Sequence, residues 1–308
     1  MDLDVVFLGT AASVPTARRG LPATLIRRGG ERLLFDCGEG TQRQLVRSVG
    51  MVEIDDVFLT HFHADHVLGL PGMLKTYGLQ AREKPLRIHG PAGLERLFKV
   101  LGPVIGRLPF EVRLAELEPG EELDGDGYKL ACFDVDHGVR ALGYALVEDE
   151  RPGRFDEARA RELGVAAGPD FGRLQRGEAV GEVTPEQVLG DARRGRTVVI
   201  AGDGAPSDTT RAASQRADLL VHEATFTEED AERARETRHS TARDAAEVAA
   251  EAQVGLLALT HVSSRYRVRD LRGEATAVFE STIVPRDFDS VVIPLPERGG
   301  PEHVRGEE

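Results

Sequence analysis

Five apolar runs in this 308-residue chain stop directly before a histidine or an aspartate. In chain order they are VFLT before His61, FDVD before His137, VIAG before Asp203, LLV before His222 and LLALT before His261. Runs of this length and composition are typical of buried strands. Because α/β sheets carry their ligand-binding loops at strand ends, the pattern predicts an α/β protein whose strand ends converge on one site.

Predicted helices lie between these strands, among them GLPGMLKTYGL, PAGLERLFKVLG and TARDAAEVAAEA. Residues 149–196 break the alternation, since they are charged, rich in glycine and proline, and contain one short helical stretch, FDEARAREL. We interpret them as an excursion from the core. Residues 1–296 are expected to form a single domain that contains this excursion, and residues 297–308 a polar tail that frays.

Composition limits the classes of protein that the chain can belong to. Hydrophobic residues make up 41% and charged residues 30%, a balance typical of globular proteins. No apolar run reaches the roughly 18 residues that a membrane span needs, so no membrane partner is expected. The first residues lack a basic leader, and Cys37 and Cys132 match no ligand spacing, so we expect buried thiols in a cytoplasmic protein.

The net charge also restricts the partners. A formal charge of −13 disfavours non-specific attraction to nucleic acid, and we expect no DNA partner. Any contact with RNA must therefore use local clusters of basic side chains.

The segment HFHADH, residues 61–66, carries the strongest chemical signal in the sequence. It places His61, His63, Asp65 and His66 within six residues, directly after a predicted strand. Imidazole and carboxylate groups suit zinc or a similar divalent ion, and one loop can direct alternate side chains at two neighbouring ions. A structural role gives no reason for three imidazoles in one short loop, so we interpret the segment as a metal-binding loop.

One loop cannot complete two metal sites, because zinc takes four ligands and a catalytic site keeps one position for water. His137, Asp203 and His261 follow other strand ends and can supply the missing ligands. Asp203 can offer one carboxylate oxygen to each of two ions about 3.5 to 4 Å apart. Taken singly, each residue has a simpler alternative, since a histidine after a strand is often a surface residue and Gly-Asp-Gly is often a turn.

The order of these residues resembles that of the metallo-β-lactamase-fold hydrolases. Further motifs are similar to those of one family within them, the tRNase Z endonucleases, which remove the 3′ trailer from precursor tRNA. These motifs are LGTAASVP at 8–15, FDCGEGTQRQL at 35–45, HEATF at 222–226, His239-Ser240-Thr241, and THVSSRY at 260–266. The resemblance covers residues 1 to about 295 and implies an αββα sandwich with two divalent ions, zinc or, as an alternative, manganese.

The resemblance also implies roles for individual residues. It assigns His61, His63 and His137 to one ion, Asp65, His66 and His261 to the other, and Asp203 to both. Asp65 is then the candidate base that acts on a water attacking the scissile phosphate. His239, oriented by Glu223, is assigned to the leaving oxygen. His222, His89 and His303 match no ligand position and are interpreted as structural or exposed.

In the family a flexible arm with a Gly-Pro motif binds the tRNA elbow, commonly in trans within a homodimer. Residues 149–182 resemble this arm, with Gly168-Pro169 as the motif and Arg173 and Arg176 among its arginines. A solvated charged loop is the alternative interpretation. Arg265 and Tyr266 suit a phosphate clamp and a base-stacking surface for the RNA near the cut.

Two alternative functions remain open from the sequence. A hydrolase of the same fold acting on small phosphodiesters or thioesters would keep the metal loop but would need no charged excursion. A metal-stabilised RNA-binding scaffold without turnover would not need the pair of Glu223 and His239. Both features favour a nuclease that acts on precursor tRNA.

Overall fold

The computed structural model describes residues 1–306. Within this range the strands are β1 (Leu3–Gly9), β2 (Ala23–Arg28), β3 (Glu31–Phe35), β4 (Asp56–Phe58), β5 (Leu86–Pro91), β6 (Val112–Leu117), β7 (Glu122–Gly125), β8 (Tyr128–Asp134), β9 (Leu142–Glu148), β10 (Thr197–Ile200), β11 (Leu219–Glu223), β12 (Leu256–Thr260), β13 (Thr282–Ile283), β14 (Ser290–Val292) and β15 (Glu302–Val304).

Helices connect many of these strands. They are α1 (Thr41–Arg47), α2 (Ala64–Val67), α3 (Leu70–Leu79), α4 (Leu94–Ile105), α5 (Glu157–Glu162), α6 (Pro169–Gln175), α7 (Asp208–Ala213), α8 (Ala231–Thr237), α9 (Ala242–Glu251) and α10 (Val268–Thr276). Short 3₁₀ turns lie at Pro185–Gln187, Glu228–Asp230 and Pro296–Arg298. Among residues 1–306, no helix combines the length and the apolar character that crossing a bilayer requires.

The strands form two mixed sheets. The first has the order β15-β14-β1-β2-β3-β4-β5-β6, and the second has the order β13-β12-β11-β10-β9-β8-β7. Strands β3 to β6 are parallel in the first sheet, and β10 to β13 are parallel in the second. Because parallel neighbours end at the same edge of a sheet, the loops after β10, β11 and β12 lie side by side.

Alternation of side chains along each strand builds four layers. On β1, Val5 and Phe7 face the second sheet, whereas Val6 and Leu8 pack with α1 and α3 on the outer face. The outer face of the second sheet packs against α9 and α10 through a cluster rich in alanine. The predicted αββα sandwich is therefore confirmed, with apolar cores between the sheets and beneath both helical layers.

The C-terminal segment differs from our expectation of a frayed tail. Glu302–Val304 pairs with β14 as the edge strand β15, and Nε2 of His303 lies 2.9 Å from Oδ2 of Asp289. Strand pairing uses backbone N–H and C=O groups, which a polar sequence does not reveal. For residues 302–304 that expectation was therefore wrong, and Glu307 and Glu308 lie outside the described residues.

The excursion between β9 and β10 contains more structure than the sequence indicated. Besides α5 it forms α6, which Pro169 opens at a position where its missing N–H costs no hydrogen bond. The excursion has its own apolar cluster: Ala160, Val165, Phe171, Leu174, Val183 and Val188. The compact unit thus extends beyond residue 182, the end that we had predicted for the arm.

Buried charges hold the base of the excursion. Nε of Arg196 donates to Oε2 of Glu148 at 2.7 Å, and Nε of Arg28 donates to Oε1 of Glu148 at 2.9 Å. All three side chains are buried. Because Arg28 lies on β2, this network joins the base of the excursion to the first sheet.

Candidate active site

The metal-binding loop follows β4 and enters α2. His61 is buried directly after Thr60, His63 precedes the first residue of α2, and Asp65 and His66 lie within that helix. The turn into a helix changes the direction of successive side chains, so residues 61, 63, 65 and 66 present their polar atoms to one space. The local sequence therefore forms half of the site by itself.

The other half comes from strand ends of the second sheet. His137 follows β8, Asp203 follows β10 and His261 follows β12. His261 adopts φ 54°, in the left-handed region that few residues other than glycine occupy. Strain of this kind is often concentrated at functional sites, where the surrounding structure maintains it.

The predicted ligand atoms come together in two groups. In the first, Nε2 of His61 lies 2.9 Å from Nδ1 of His63, which lies 3.3 Å from Nε2 of His137. In the second, Nε2 of His261 lies 3.4 Å from Oδ2 of Asp65 and 3.1 Å from Oδ2 of Asp203. Donors at tetrahedral positions about 2.0 to 2.1 Å from a zinc ion are about 3.3 Å apart, so these separations fit a metal site.

Asp203 lies between the two groups. Its Oδ2 is 3.3 Å from Nε2 of His66. A carboxylate oxygen of Asp203 lies within 4.8 Å of ligand atoms of His61 and His66, and also of a ligand atom of His137. The three distant residues therefore meet the loop, as the sequence predicted. Side chains from four separate chain segments surround one small space.

Hydrogen bonds on the far side of the rings orient the imidazoles. Nδ1 of His66 lies 2.8 Å from Oδ2 of Asp36, and Nδ1 of His261 lies 2.8 Å from Oγ1 of Thr225. Nδ1 of His61 lies 3.0 Å from Oγ1 of Thr60. Such partners fix ring orientation and leave the opposite nitrogen available to a metal.

One buried atom is left without a hydrogen bond. Nε2 of His66 is fully enclosed and has no hydrogen-bond partner within residues 1–306, although Asp203 lies near it. A buried nitrogen without a partner is costly unless a ligand satisfies it. Together with the donor set, this atom shows that the residues fit a divalent metal.

Charges at three of the seven residues are consistent with metal ligation, whereas at His66 the carboxylates of Asp203 and Asp36 outweigh burial and raise the pKa well above its ordinary value. Burial, followed by the charge of His66, lowers the pKa of His61 well below its ordinary value, and burial with the charge of His137 lowers that of His63. Burial acts to raise the pKa of Asp203, but His261 and His66 outweigh it and hold that pKa well below its usual range. The two imidazoles are thus neutral and the carboxylate ionised, the forms in which these groups bind metals.

A second constellation adjoins the metal residues. Nδ1 of His239 lies 2.6 Å from Oε1 of Glu223, which also accepts the backbone N–H of Gly204 at 2.9 Å. The His239 ring stacks near His261 with centroids 5.6 Å apart. Burial acts to lower the pKa of His239, but the buried Glu223 carboxylate outweighs it and raises this pKa to about 9.

A cavity of about 300 Å³ opens beside His239. Arg265 lines it together with Arg233, Phe226 and Ser13. Tyr266 does not line it; its hydroxyl donates to Asp230 instead. Arg265 therefore borders the cavity beside His239, and Tyr266 does not.

The predicted arm residues lie away from this site. Gly168 caps the first turn of α6 and Pro169 opens that helix. Arg173 and Arg176 both pair with Glu178 at 3.2 and 3.3 Å, so each already has an acidic neighbour. The arm thus presents arginines whose charge is partly balanced within the arm.

The structure refines some interpretations that were made from the sequence. Four of the five strand ends bring their side chain to the site, and the fifth residue, His222, turns away, in agreement with its interpretation as a structural residue; its Nδ1 lies 2.9 Å from the backbone oxygen of Glu223. Asp36 and Thr225 lie in the motifs at 35–45 and 222–226, but their supporting contacts with His66 and His261 were not predicted. Asp36 directly follows β3, which is the signal that could have found it.

Comparison with known proteins first defines the class. Residues 19–261 match the family model of the metallo-beta-lactamase superfamily. The metallo-β-lactamase fold protein YhfI from Bacillus subtilis has a TM-score of 0.72 and 20% identity, covering 94% of this chain and 99% of that chain. The protein is thus a metal-binding member of the metallo-β-lactamase superfamily.

Individual relatives then define the family. The chain is 49% identical to ribonuclease Z of Gemmatimonas aurantiaca, over 96% of this chain and 98% of the relative. It is 46% identical to ribonuclease Z of Natronomonas pharaonis, over 96% of this chain and 100% of the relative. The short form of human tRNase Z matches with a TM-score of 0.68 and 29% identity, covering 95% and 99% of the two chains. The chain belongs to the ribonuclease Z family.

Proposed function

We propose that this protein is an endoribonuclease that cleaves the 3′ trailer from precursor tRNA next to the discriminator nucleotide. Water attacks the scissile phosphorus, the bond from phosphorus to the 3′ oxygen breaks, and that oxygen takes up a proton. The tRNA then ends in a 3′-hydroxyl and the trailer keeps the phosphate. The observation that carries this proposal is the convergence of seven ligand-type side chains beside the Glu223–His239 pair in a ribonuclease Z relative.

Two divalent ions are proposed for the site. His61, His63 and His137 would hold one ion, Asp65, His66 and His261 the other, and Asp203 would contact both. When bound, such ions lower the pKa of a water and neutralise charge on the phosphate. Nitrogen-rich ligand sets of this kind suit zinc, and manganese is the alternative.

The test uses chelated protein and a precursor tRNA with a 3′ extension. Zinc titration is expected to restore cleavage with saturation at two ions per chain, and mapping of the product ends should place the cut directly after the discriminator. Manganese in a parallel titration identifies the preferred ion. Cleavage within the tRNA body, or full activity in the chelated protein, would contradict the proposal.

Two side chains of the site are placed to handle protons. Oδ2 of Asp65 accepts the N–H of Ser13 at 3.0 Å and faces the metal residues, where it can take a proton from the attacking water. His239 holds a proton at neutral pH because Glu223 raises its pKa. We assign that proton to the leaving 3′ oxygen.

The pair of Glu223 and His239 predicts a particular pH dependence. With a pKa of about 9, His239 loses its proton, and cleavage loses its acid, as pH rises through that value. In E223Q, burial remains but the carboxylate charge is gone, so the alkaline limit of kcat should move to lower pH by about two units, with kcat about twofold lower at pH 7 and about 50-fold lower at pH 9. The pH profile of kcat measures this, and E83Q, at an exposed glutamate, is the matched control.

The arm is proposed to bind the tRNA body, in trans within a homodimer. Its base lies at the Glu148 end of β9, whereas the site lies beyond the Leu142 end, about 20 Å away at 3.3 to 3.4 Å per residue. An arm that leaves the far edge of the sheet is better placed to serve a neighbouring subunit. Because both cysteines are free and buried, we place the enzyme in the cytoplasm.

A further inference from the structure

The hydroxyl group of Thr225 lies between the proposed metal residues and the pair of Glu223 and His239. Its Oγ1 is 2.8 Å from Nδ1 of His261, and the hydroxyl group donates to Oε2 of Glu223. The backbone N–H of Thr225 donates to the same carboxylate oxygen at 3.1 Å. Thr225 is buried, so its hydroxyl group depends on these partners rather than on water. One side chain therefore contacts both parts of the candidate active site.

The number of protons fixes the direction of the hydrogen bonds at Thr225. Nε2 of His261 lies 3.1 Å from Oδ2 of Asp203 and 3.4 Å from Oδ2 of Asp65, so this nitrogen faces the proposed metal position. A neutral imidazole that binds a metal through Nε2 carries its proton on Nδ1. Nδ1 of His261 is then the donor, and Oγ1 of Thr225 is the acceptor. The single proton of the hydroxyl group is therefore left for the Glu223 carboxylate.

The Glu223 carboxylate receives hydrogen bonds from two directions. Its Oε2 accepts from Thr225, and its Oε1 accepts the N–H of Gly204 at 2.9 Å. The same Oε1 lies 2.6 Å from Nδ1 of His239, and because an ionised carboxylate only accepts, the imidazole is the donor. One carboxylate thus supports two imidazoles, His239 directly and His261 through the Thr225 hydroxyl group.

His66 and His261 differ in the group that supports each imidazole. Nδ1 of His66 lies 2.8 Å from Oδ2 of Asp36, so a carboxylate supports this ring directly. At His261 the Thr225 hydroxyl group occupies that position, and the Glu223 carboxylate lies behind it. A carboxylate on the far nitrogen of a metal-binding imidazole fixes the ring and raises its basicity. Because buried hydrogen bonds in series polarise one another, the charge of Glu223 acts on His261 through Thr225.

We propose that Thr225 is a positioning residue that connects the metal ligand His261 to the pair of Glu223 and His239. Through this hydroxyl group, the carboxylate that holds the proposed acid also strengthens binding of the ion assigned to His261. This inference rests on the proposed function, because the ions and the acid both belong to it. Loss of the hydroxyl group should therefore weaken one metal position selectively, whereas a general loss of packing would weaken both.

The test compares T225V, which keeps the shape of the side chain and removes the hydroxyl group, with T225S, which keeps the hydroxyl group. Zinc binding to the full-length protein is measured by competition with a chelating dye, and thermal melting of the metal-free variants verifies that each is folded. T225V should bind one of the two ions about 10- to 100-fold more weakly and the other within about threefold of the wild type. T225S should bind both ions within about threefold of the wild type.

The matched control is T276V, at a hydroxyl group that donates to the backbone oxygen of Arg272 at 2.8 Å within α10. This variant should bind zinc and cleave precursor tRNA like the wild type. In T225V the zinc concentration that gives half-maximal cleavage should rise about 10- to 100-fold, in parallel with the Kd of the weakened ion. KM for precursor tRNA at saturating zinc should stay within about twofold, because His261 and Glu223 already engage the hydroxyl group.

A double-mutant cycle measures the connection between Thr225 and Glu223. E223Q should weaken binding of the same ion about tenfold when Thr225 is present, and only about threefold in the T225V background. Equal factors in the two backgrounds, weaker binding of both ions in T225V, or zinc binding by T225V that matches T225S would each overturn the inference. If the wild type binds fewer than two ions or fails to cut precursor tRNA, the proposed function fails instead, so the two failures are distinguishable.

Discussion

The variant D65A is expected to lose at least about 1000-fold in kcat for precursor tRNA, while its Kd for the tRNA stays within about twofold of the wild type. Asp65 faces His66 and His261 at 3.7 and 3.4 Å, so its loss removes a metal ligand and the candidate base together. The proposed RNA contacts of the arm lie elsewhere and remain. Single-turnover cleavage and filter binding measure the two quantities.

The matched control for D65A is D124A, which removes an exposed carboxylate from β7. This variant should cleave and bind like the wild type. Equal losses of binding and cleavage in D65A would show that catalysis and tRNA binding are not separate. Normal cleavage by D65A would remove Asp65 from the proposed site.

Deletion of the arm should have the opposite effect. Gly153 and Gly190 lie in close contact across the base of the arm. The N–H of Gly190 donates to the backbone oxygen of Arg154 at 3.0 Å. Replacing residues 154–189 by two glycines therefore removes the separate apolar cluster of the arm and keeps the Glu148–Arg196 pair. We expect kcat/KM for precursor tRNA to fall about 100-fold or more, since the phosphate and shape contacts of the arm are lost.

A small chromogenic phosphodiester is the control substrate for the deletion. Its hydrolysis should stay within about twofold, because the metal residues lie at the other end of β9. Loss of both activities would contradict the role assigned to the arm. Mixing the arm-deleted chain with D65A tests action in trans, since a mixed dimer regains one complete pair of arm and site and should recover cleavage that neither parent has.

The base of the arm also explains why its arginines cannot all serve RNA. Arg151 donates to both carboxylate oxygens of Glu297 at 2.8 Å, and Arg193 donates to the same residue at 3.0 Å. The hydrogen bonds from Arg151 are the largest cause that lowers the pKa of Glu297 to about 2, and the charge of Arg193 acts in the same direction. Arg151 therefore attaches the arm to the C-terminal segment, a role that arginine content alone does not reveal.

Much of the site could be predicted because short segments of the sequence specify the position of its side chains. A histidine or aspartate that directly follows a buried strand reaches the sheet edge whatever the details of packing, and this rule located His61, His137, Asp203 and His261. The same rule does not extend to His222, which was interpreted as structural, because adjacent residues on β11 point in opposite directions and Glu223 faces the site instead. Thr225 lies in the HEATF motif, but its role beside His261 was not assigned, because a threonine beyond a strand has no distinctive pattern.

The amino-acid sequence alone determined the α/β class, the metal-binding loop and the strand ends that complete it, since hydrophobic alternation and ligand spacing are properties of short segments. Only the tertiary structure decided that Asp36 supports His66, that Glu302–Val304 forms an edge strand, and that the Thr225 hydroxyl group lies between His261 and Glu223. These features join residues far apart in the chain. Their proximity is set by how the two sheets and their helices pack, which no local pattern encodes.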